Sequence, residues 1–236
     1  MKERVFRFKK FSVAHSRSAM KVGMDGVLAG CAARLAGSAR ILDAGCGCGL
    51  IALICAQRCE AAEIEAIDTH LPSVEEAADN FAASPWASRL AARHLDFCSL
   101  GKGEYDHIIS NPPFFDAGII APATDRQTAR HAAVFSPVSL IGIGARLINP
   151  AGAVSLISPP DWLDRLHSQA DISGMALSYI LYVKGTVSGP VKRVFTEWRH
   201  REYAGRCVED SLAVERSPGC YTEKYKELTS EFYLKF

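Results

Sequence analysis

From residue 39 onward short apolar runs alternate with stretches of helical period, and glycine or proline stands at most of the changes. Residues 39–44, Ala-Arg-Ile-Leu-Asp-Ala, have the length and make-up of a buried strand. From Leu50 to about Cys59, Leu50, Ile51, Leu53 and Ile54 recur on one side of a helix. Glu63-Ile64-Glu65-Ala66-Ile67-Asp68 alternates as a second strand, and Ser73-Val74-Glu75-Glu76 has the S-x-x-E form of a capping box that opens a helix to about Ala83. Further strands fit residues 90–94, 105–110 and 152–158, with a helix opening at Ser136-Pro137 before the last of them. Strands separated by helices predict a parallel sheet. The pattern then changes. Residues 179–183 and 191–198 are β-rich and flank a glycine-bounded loop at 185–189, which predicts an antiparallel hairpin, and a short helix fits 222–229. The expectation is an α/β chain: a mostly parallel seven-stranded sheet, an antiparallel C-terminal hairpin, helices on both faces. One domain, 25–236, follows an arm, 1–24. Right-handed crossovers put the loops after the first four strands on the carboxyl edge, where open α/β sheets bind ligands.

Composition narrows the class without changing it. The chain has 236 residues, 48% of them hydrophobic, and a net charge of +1, which suits one globular core and excludes disordered or fibrous architectures. No apolar run reaches the roughly 18 residues of a spanning helix, and residues 1–21 carry charges where a signal peptide is apolar, so a soluble cytoplasmic protein is expected. Eight cysteines without Cys-x-x-Cys spacing read as reduced thiols, and no metal is expected. Charge is uneven along the chain. Residues 1–24 hold seven cations against Glu3, a net of +6, leaving −5 for the rest. Phe6, Phe8 and Phe11 interleave with Arg7, Lys9 and Lys10, which fits either cations on phosphates with rings on bases, or a strand packed on the domain.

Chemistry gathers at the strand ends. Asp43-Ala44-Gly45-Cys46-Gly47-Cys48-Gly49 lies between the first strand and its helix, where alternate glycines let a ligand approach the backbone. The dinucleotide fingerprint is G-x-G-x-x-G, whereas this run is G-x-G-x-G after an acid, which disfavours a nicotinamide dehydrogenase. It is more similar to the loop of methyltransferases that bind S-adenosylmethionine, whose cationic sulfonium and amino groups suit a carboxylate such as Asp43. Asp68, 25 residues later at the second strand end, is placed to accept two ribose hydroxyls, and Asp96, beside Phe97, to accept from an adenine amino group. The sharpest motif is Ser110-Asn111-Pro112-Pro113-Phe114. Its prolines fix the backbone and remove two donors, leaving the carbonyls of Asn111 and Pro112 and the Asn111 amide oxygen as acceptors for a planar NH₂ group, with Phe114 as a stacking face.

With these motifs the chain resembles a Rossmann-like class I methyltransferase of the amino-methylating group. It is more narrowly similar to the bacterial family that methylates N6 of adenine 37, beside the anticodon, in valine tRNA. The narrower match rests on residues 11–15 (Phe-Ser-Val-Ala-His), 19–26 (Ala-Met-Lys-Val-Gly-Met-Asp-Gly), 84–87 (Ser-Pro-Trp-Ala), Asn111 to Phe115 and the Phe232-Tyr233-Leu234 ending. The resemblance implies S-adenosylmethionine as cofactor, held by Lys21, Asp25, Asp43, Gly45, Gly47, Gly49, Asp68, Asp96, Phe97 and Asn111. It implies Asn111, Pro112, Pro113 and Phe114 as the catalytic pocket, with Asp25 meeting the cofactor ammonium. For tRNA, Lys9, Lys10, Arg17, Arg126 and Arg130 are candidate contacts, joined by His131; no membrane and no obligate protein partner is implied. Two positions depart from the family pattern: Met24 replaces an expected Thr, and Phe114 an aromatic that is often Tyr. A protein glutamine N5-methyltransferase remains an alternative, since a glutamine amide also offers NH₂. So does a non-catalytic RNA-binding module on the same fold.

Overall fold

The computed structural model describes residues 4–114 and 135–235. The arm opens with an antiparallel ribbon, β1 (Val5–Arg7) on β2 (Ser12–Ala14). α1 (Met24–Ala32) follows, an element the hydrophobic pattern did not announce, because its small and apolar residues from Gly26 to Ala32 are all buried and leave no polar stripe to define a period. The expected rhythm then holds to within two residues: β3 (Arg40–Ala44), α2 (Leu50–Arg58), β4 (Glu63–Asp68), α3 (Leu71–Ala82), β5 (Leu90–His94) and β6 (Tyr105–Ser110). α3 starts two residues before the anticipated capping box, with Pro72 in its first turn and no side chain capping it. α4 (Pro137–Leu147) does have a reciprocal cap: the Ser136 hydroxyl accepts from the Ser139 amide, and Ser139 Oγ accepts from the Ser136 amide.

The remainder comprises β7 (Ile148–Ser158), α5 (Leu163–Ile172), β8 (Met175–Thr186), β9 (Val191–His200), α6 (Arg201–Ala204), β10 (Val208–Ser217), β11 (Cys220–Tyr221) and α7 (Glu223–Thr229). β8 and β9 form the expected antiparallel hairpin. Among the described residues the sheet has nine strands, not seven, in the order β11-β10-β8-β9-β7-β6-β3-β4-β5. The two extra strands correct the expectation: β10 runs parallel to β8, and the two-residue β11 turns back on it. Within β10 the buried apolar residues are Leu212 and Val214, so only half of its length carries an apolar alternation.

Helices cover both faces. One face packs Leu28, Leu53, Ile54, Phe195 and Leu212 with the arm's Phe8, Phe11 and Val13; the other packs Leu42, Ile108, Leu140, Val154, Leu166 and Trp198. Each buried large side chain contributes about 1.5–3 kcal/mol. From β3 the chain crosses over to β4 and β5 on one side, and later to β6 and β7 on the other. Such a reversal opens a crevice at the carboxyl ends of β3 and β6, because the flanking loops depart in opposite directions. Among the described residues no helix is long and apolar enough to cross a membrane.

Because Leu212 is 1% exposed, Leu212→Ala is expected to cost about 2–5 kcal/mol. Urea unfolding checks this. A loss below about 0.5 kcal/mol, the scale of a surface substitution, would make β10 an appendage rather than part of the sheet.

Candidate active site

The crevice is lined first by the turn that leaves β3. Gly45, Gly47 and Gly49 have φ of 70°, 54° and 79°, a left-handed backbone that other residues adopt at a cost. Their surroundings differ. A Cβ on Gly45 would meet the Phe135 ring at 2.7 Å and one on Gly49 would run into the Phe81 ring, whereas no described residue lies within 4 Å of a Cβ on Gly47. The outer glycines therefore admit these two rings, and the middle one is open among the described residues. The turn is tied down on three sides: the Gly45 and Cys46 amides donate to the Ile67 carbonyl, Gly47 N–H donates to Asp68 Oδ2 at 2.9 Å, and Asn80 Nδ2 donates to the Cys48 carbonyl. Cys46 and Cys48 are buried, and burial pushes the Cys48 thiol up to about 12, so it is not a thiolate at neutral pH.

The three strand-end acids are set differently. Asp43 is fully buried; its Oδ2 accepts from Ala52 N–H at 3.0 Å, and its Oδ1 has no hydrogen-bond partner among the described residues. Burial pushes the Asp43 carboxyl up to about 7, the Ala52 amide opposing this and the Asp68 charge adding to it. Asp68, half-buried, accepts from Gly47 N–H and from His70 N–H at 2.8 Å, one bond per oxygen, so each oxygen keeps a lone pair. Asp96 accepts from Cys98 N–H at 2.8 Å and caps the short turn at Phe97–Ser99. Phe97 itself is in the core against Phe135, ring centroids 5.4 Å apart.

β6 ends beside β3, where Ser110 Oγ donates to the Ala44 carbonyl at 2.7 Å. Asn111 follows at once, and its Oδ1 is buried without a hydrogen-bond partner among the described residues. Pro112 is buried and Pro113 half-buried. Phe114 is half-buried, with the Arg193 guanidinium carbon 5.6 Å from its ring centroid. Asp25, in the first turn of α1, accepts from Arg193 Nε at 2.8 Å. A third unpartnered buried oxygen, Ser158 Oγ, ends the neighbouring β7. Phe115, Arg126, Arg130 and His131 lie outside the described residues.

The arm is braced rather than loose. Asn80 on α3 exchanges hydrogen bonds with both backbone groups of Ala14 while also holding Cys48. Glu76, 1% exposed, accepts from the amides of Ser16, Arg17 and Ser18 and from the Ser18 hydroxyl. Its expected role in a capping box is thereby replaced, as is that of Ser73, which accepts from Ala19 N–H. Lys21 Nζ turns back to the carbonyls of Ser16 and Ser18, Arg17 pairs with Asp79, and Lys9 Nζ donates to the Ser230 carbonyl; Lys10 is exposed. Phe8 and Phe11 are buried and stacked, so of the two readings of the arm these rings take the packed one. The sequence reading missed Glu76, Asn80, Ser158 and Arg193. For the first two a signal exists: Ser73, Glu76 and Asn80 lie on one helical face that also carries the core residues Ala77 and Phe81, where polar residues must find partners.

Burial alone would raise the Glu76 pKa, but the three amides and the Ser18 hydroxyl hold it below the usual 4.5. A depressed folded pKa stabilises fully above the unfolded value and loses that contribution as pH falls through the folded one. Glu76→Gln is expected to lower stability by about 1–3 kcal/mol at pH 7. The deficit should shrink as pH drops below 4.5, which urea titrations of both proteins across pH 3–7 would check.

A family model described as the methyltransferase small domain matches residues 14–135. A tRNA1(Val) (adenine(37)-N6)-methyltransferase of Phocaeicola vulgatus is 40% identical over 230 residues, 97% of each chain. One of Bacteroides fragilis is 38% identical over 239 residues and the whole of both chains. Among solved structures, a predicted O-methyltransferase from Agrobacterium tumefaciens superposes with a TM-score of 0.65 at 18% identity, covering 88% of this chain and 96% of that one. The T. thermophilus 16S rRNA N2 G1207 methyltransferase, in complex with AdoMet and guanosine, gives 0.57 at 19% identity over 85% of this chain and 50% of that one. The structural likenesses show a shared class I fold, and the near-complete sequence matches place this chain in the tRNA1(Val) (adenine(37)-N6)-methyltransferase family.

Proposed function

We propose that this protein transfers a methyl group from S-adenosylmethionine to N6 of an adenine in tRNA, adenine 37 of valine tRNA as its relatives' names specify, in the cytoplasm. The observation that carries the reading is the buried, unpartnered Oδ1 of Asn111 at the carboxyl end of β6, directly across from the glycine turn. A buried acceptor without a donor costs about 1–3 kcal/mol, a cost that a substrate amino group would remove. A non-catalytic RNA-binding module has no use for it.

The cofactor's chemistry fits the donors and acceptors present. The opening above Gly47 admits its close approach, the buried carboxyl of Asp43 beneath that turn favours its positive charge through the field rather than by contact, and the remaining lone pairs of Asp68 suit its ribose. When bound, S-adenosylmethionine supplies an electrophilic methyl group on a positively charged sulfur. Asn111 Oδ1 and the Pro112 carbonyl would accept the two N6 hydrogens, drawing the nitrogen out of conjugation and directing its lone pair at that methyl. Phe114 stacks the base. N6 would bond to the methyl carbon as that carbon's bond to sulfur breaks, and the amino nitrogen would release one proton to water. Holding both reactants in line can supply up to roughly 7–11 kcal/mol of the barrier reduction, so no general base is needed.

Asn111→Ala is expected to lower methyl transfer to tRNA by about 10²–10³-fold, the usual effect of removing one preorganised polar group, while leaving cofactor affinity nearly unchanged. Steady-state kinetics and calorimetry check the two halves; full activity in the variant would remove the pocket from the reaction. Asp43 gives a second test. With its pKa raised to about 7, the acid is partly protonated in the free protein, and a bound cation favours the ionised form. Cofactor affinity should therefore rise as pH increases from 6 to 8, with proton release on binding, and Asp43→Asn should bind weakly without that pH dependence.

A further inference from the structure

Arg193 takes no part in the reading above, yet it stands on the pocket. It lies near the start of β9, whose next residue, Val194, pairs with Ser158 at the carboxyl end of β7, so it shares an edge with Asn111 and Phe114. Its guanidinium carbon sits 5.6 Å from the Phe114 centroid. A base between them would need van der Waals contact on both sides, roughly 3.5 Å each, so about 7 Å in all. The side chain must move before a base can stack on that face.

What holds Arg193 there is Asp25, through the 2.8 Å bond from Nε, together with a bond from Nη1 to the Lys192 carbonyl. Both members of the ion pair are partly open to solvent, at 34% and 27% side-chain exposure, so the pair is weak and exchangeable. Asp25 also neighbours the cofactor turn: the next residue, Gly26, packs on Leu50, the first residue after that turn, with a Cβ there only 3.1 Å from the Leu50 side chain. Among the described carboxylates around this turn, Asp43 is fully buried and Asp68 has an amide on each oxygen, whereas Asp25 is held by the partly exposed Arg193 side chain.

We propose that Arg193 is a releasable cover of the base pocket, whose counter-ion Asp25 is claimed by the ammonium group of the cofactor, freeing Arg193 to leave Phe114 and pair with an RNA phosphate beside the target base. The proposal rests on the reading that Phe114 is the stacking face. It makes cofactor binding and RNA binding cooperative. Arg193 then exchanges one anion for another, and its departure uncovers the ring in the same movement.

The test uses the full chain, S-adenosylhomocysteine as the probe that carries the ammonium group, and an anticodon stem-loop RNA with an unpaired adenine. In the wild-type protein, saturating S-adenosylhomocysteine should tighten RNA binding by about 2–5-fold, because each ligand alone must break the same exposed ion pair. Arg193→Gln should bind S-adenosylhomocysteine about 2–5-fold more tightly, the worth of an exposed ion pair, bind RNA more weakly, and lose the coupling. Arg193→Lys keeps the charge and should keep most of the RNA affinity. Unchanged or weaker S-adenosylhomocysteine binding in Arg193→Gln, persistent coupling, or equal RNA loss in the Lys variant would overturn the proposal. The S-adenosylhomocysteine arm needs no turnover. A wild-type protein that methylates adenine while Arg193→Gln changes neither affinity sinks only the cover, whereas a wild-type protein that methylates no adenine sinks the pocket reading instead.

Discussion

Among the described residues, three buried oxygens without a hydrogen-bond partner, Asp43 Oδ1, Asn111 Oδ1 and Ser158 Oγ, stand at or just beyond the carboxyl ends of the adjacent strands β3, β6 and β7. Each costs about 1–3 kcal/mol if left unmatched, and a fold that could close over them would do so. It is prevented by rigidity at that edge. The Ser110 hydroxyl fixes the end of β6 to β3, two prolines fix the chain beyond Asn111, and Phe81 and Phe135 fill the space below the outer glycines of the turn. The reversal of strand order between β3 and β6 opens the crevice, and these restraints keep it from collapsing.

The arm extends the same logic away from the site. Asn80 grips Ala14 and the Cys48 carbonyl with one side chain, so the arm and the glycine turn share a support. Several arm cations are spent internally: Arg17 on Asp79, Lys21 on two carbonyls, Lys9 on Ser230. A net charge of +6 over those 24 residues thus overstates what the arm offers to phosphate. Arg193, from the far end of the chain, stands beside the pocket instead.

What was legible in the sequence was local. The strand-turn-helix of residues 39–58, the acids at the ends of β3 and β4, the cap at Ser136 and the Asn111 motif are all written in neighbouring residues, and each occurs where expected. What was not legible depends on distant partners. Ser73-x-x-Glu76 has the form of a capping box, but Glu76 turns to amides 58 to 60 residues away, and no local pattern separates the two uses. α1 escaped notice because every residue from Gly26 to Ala32 is buried. β10 pairs in parallel with β8 across an intervening helix, so neither a tight turn nor a full apolar alternation marks it. Arg193 and Asp25 are 168 residues apart, and nothing near either one announces the other.

The central claim is that the acceptors of the Asn111 turn select an exocyclic amino group. It is tested most directly with two anticodon stem-loop RNAs that differ only at the target base, adenine in one and unsubstituted purine, which lacks the amino group, in the other. Each is incubated with the protein and S-adenosylmethionine labelled in its methyl group, then digested to nucleosides for mass spectrometry. The account predicts label as N6-methyladenosine from the first RNA and none from the second. Label on a ring carbon or a ribose, or comparable transfer to the purine RNA, would contradict it.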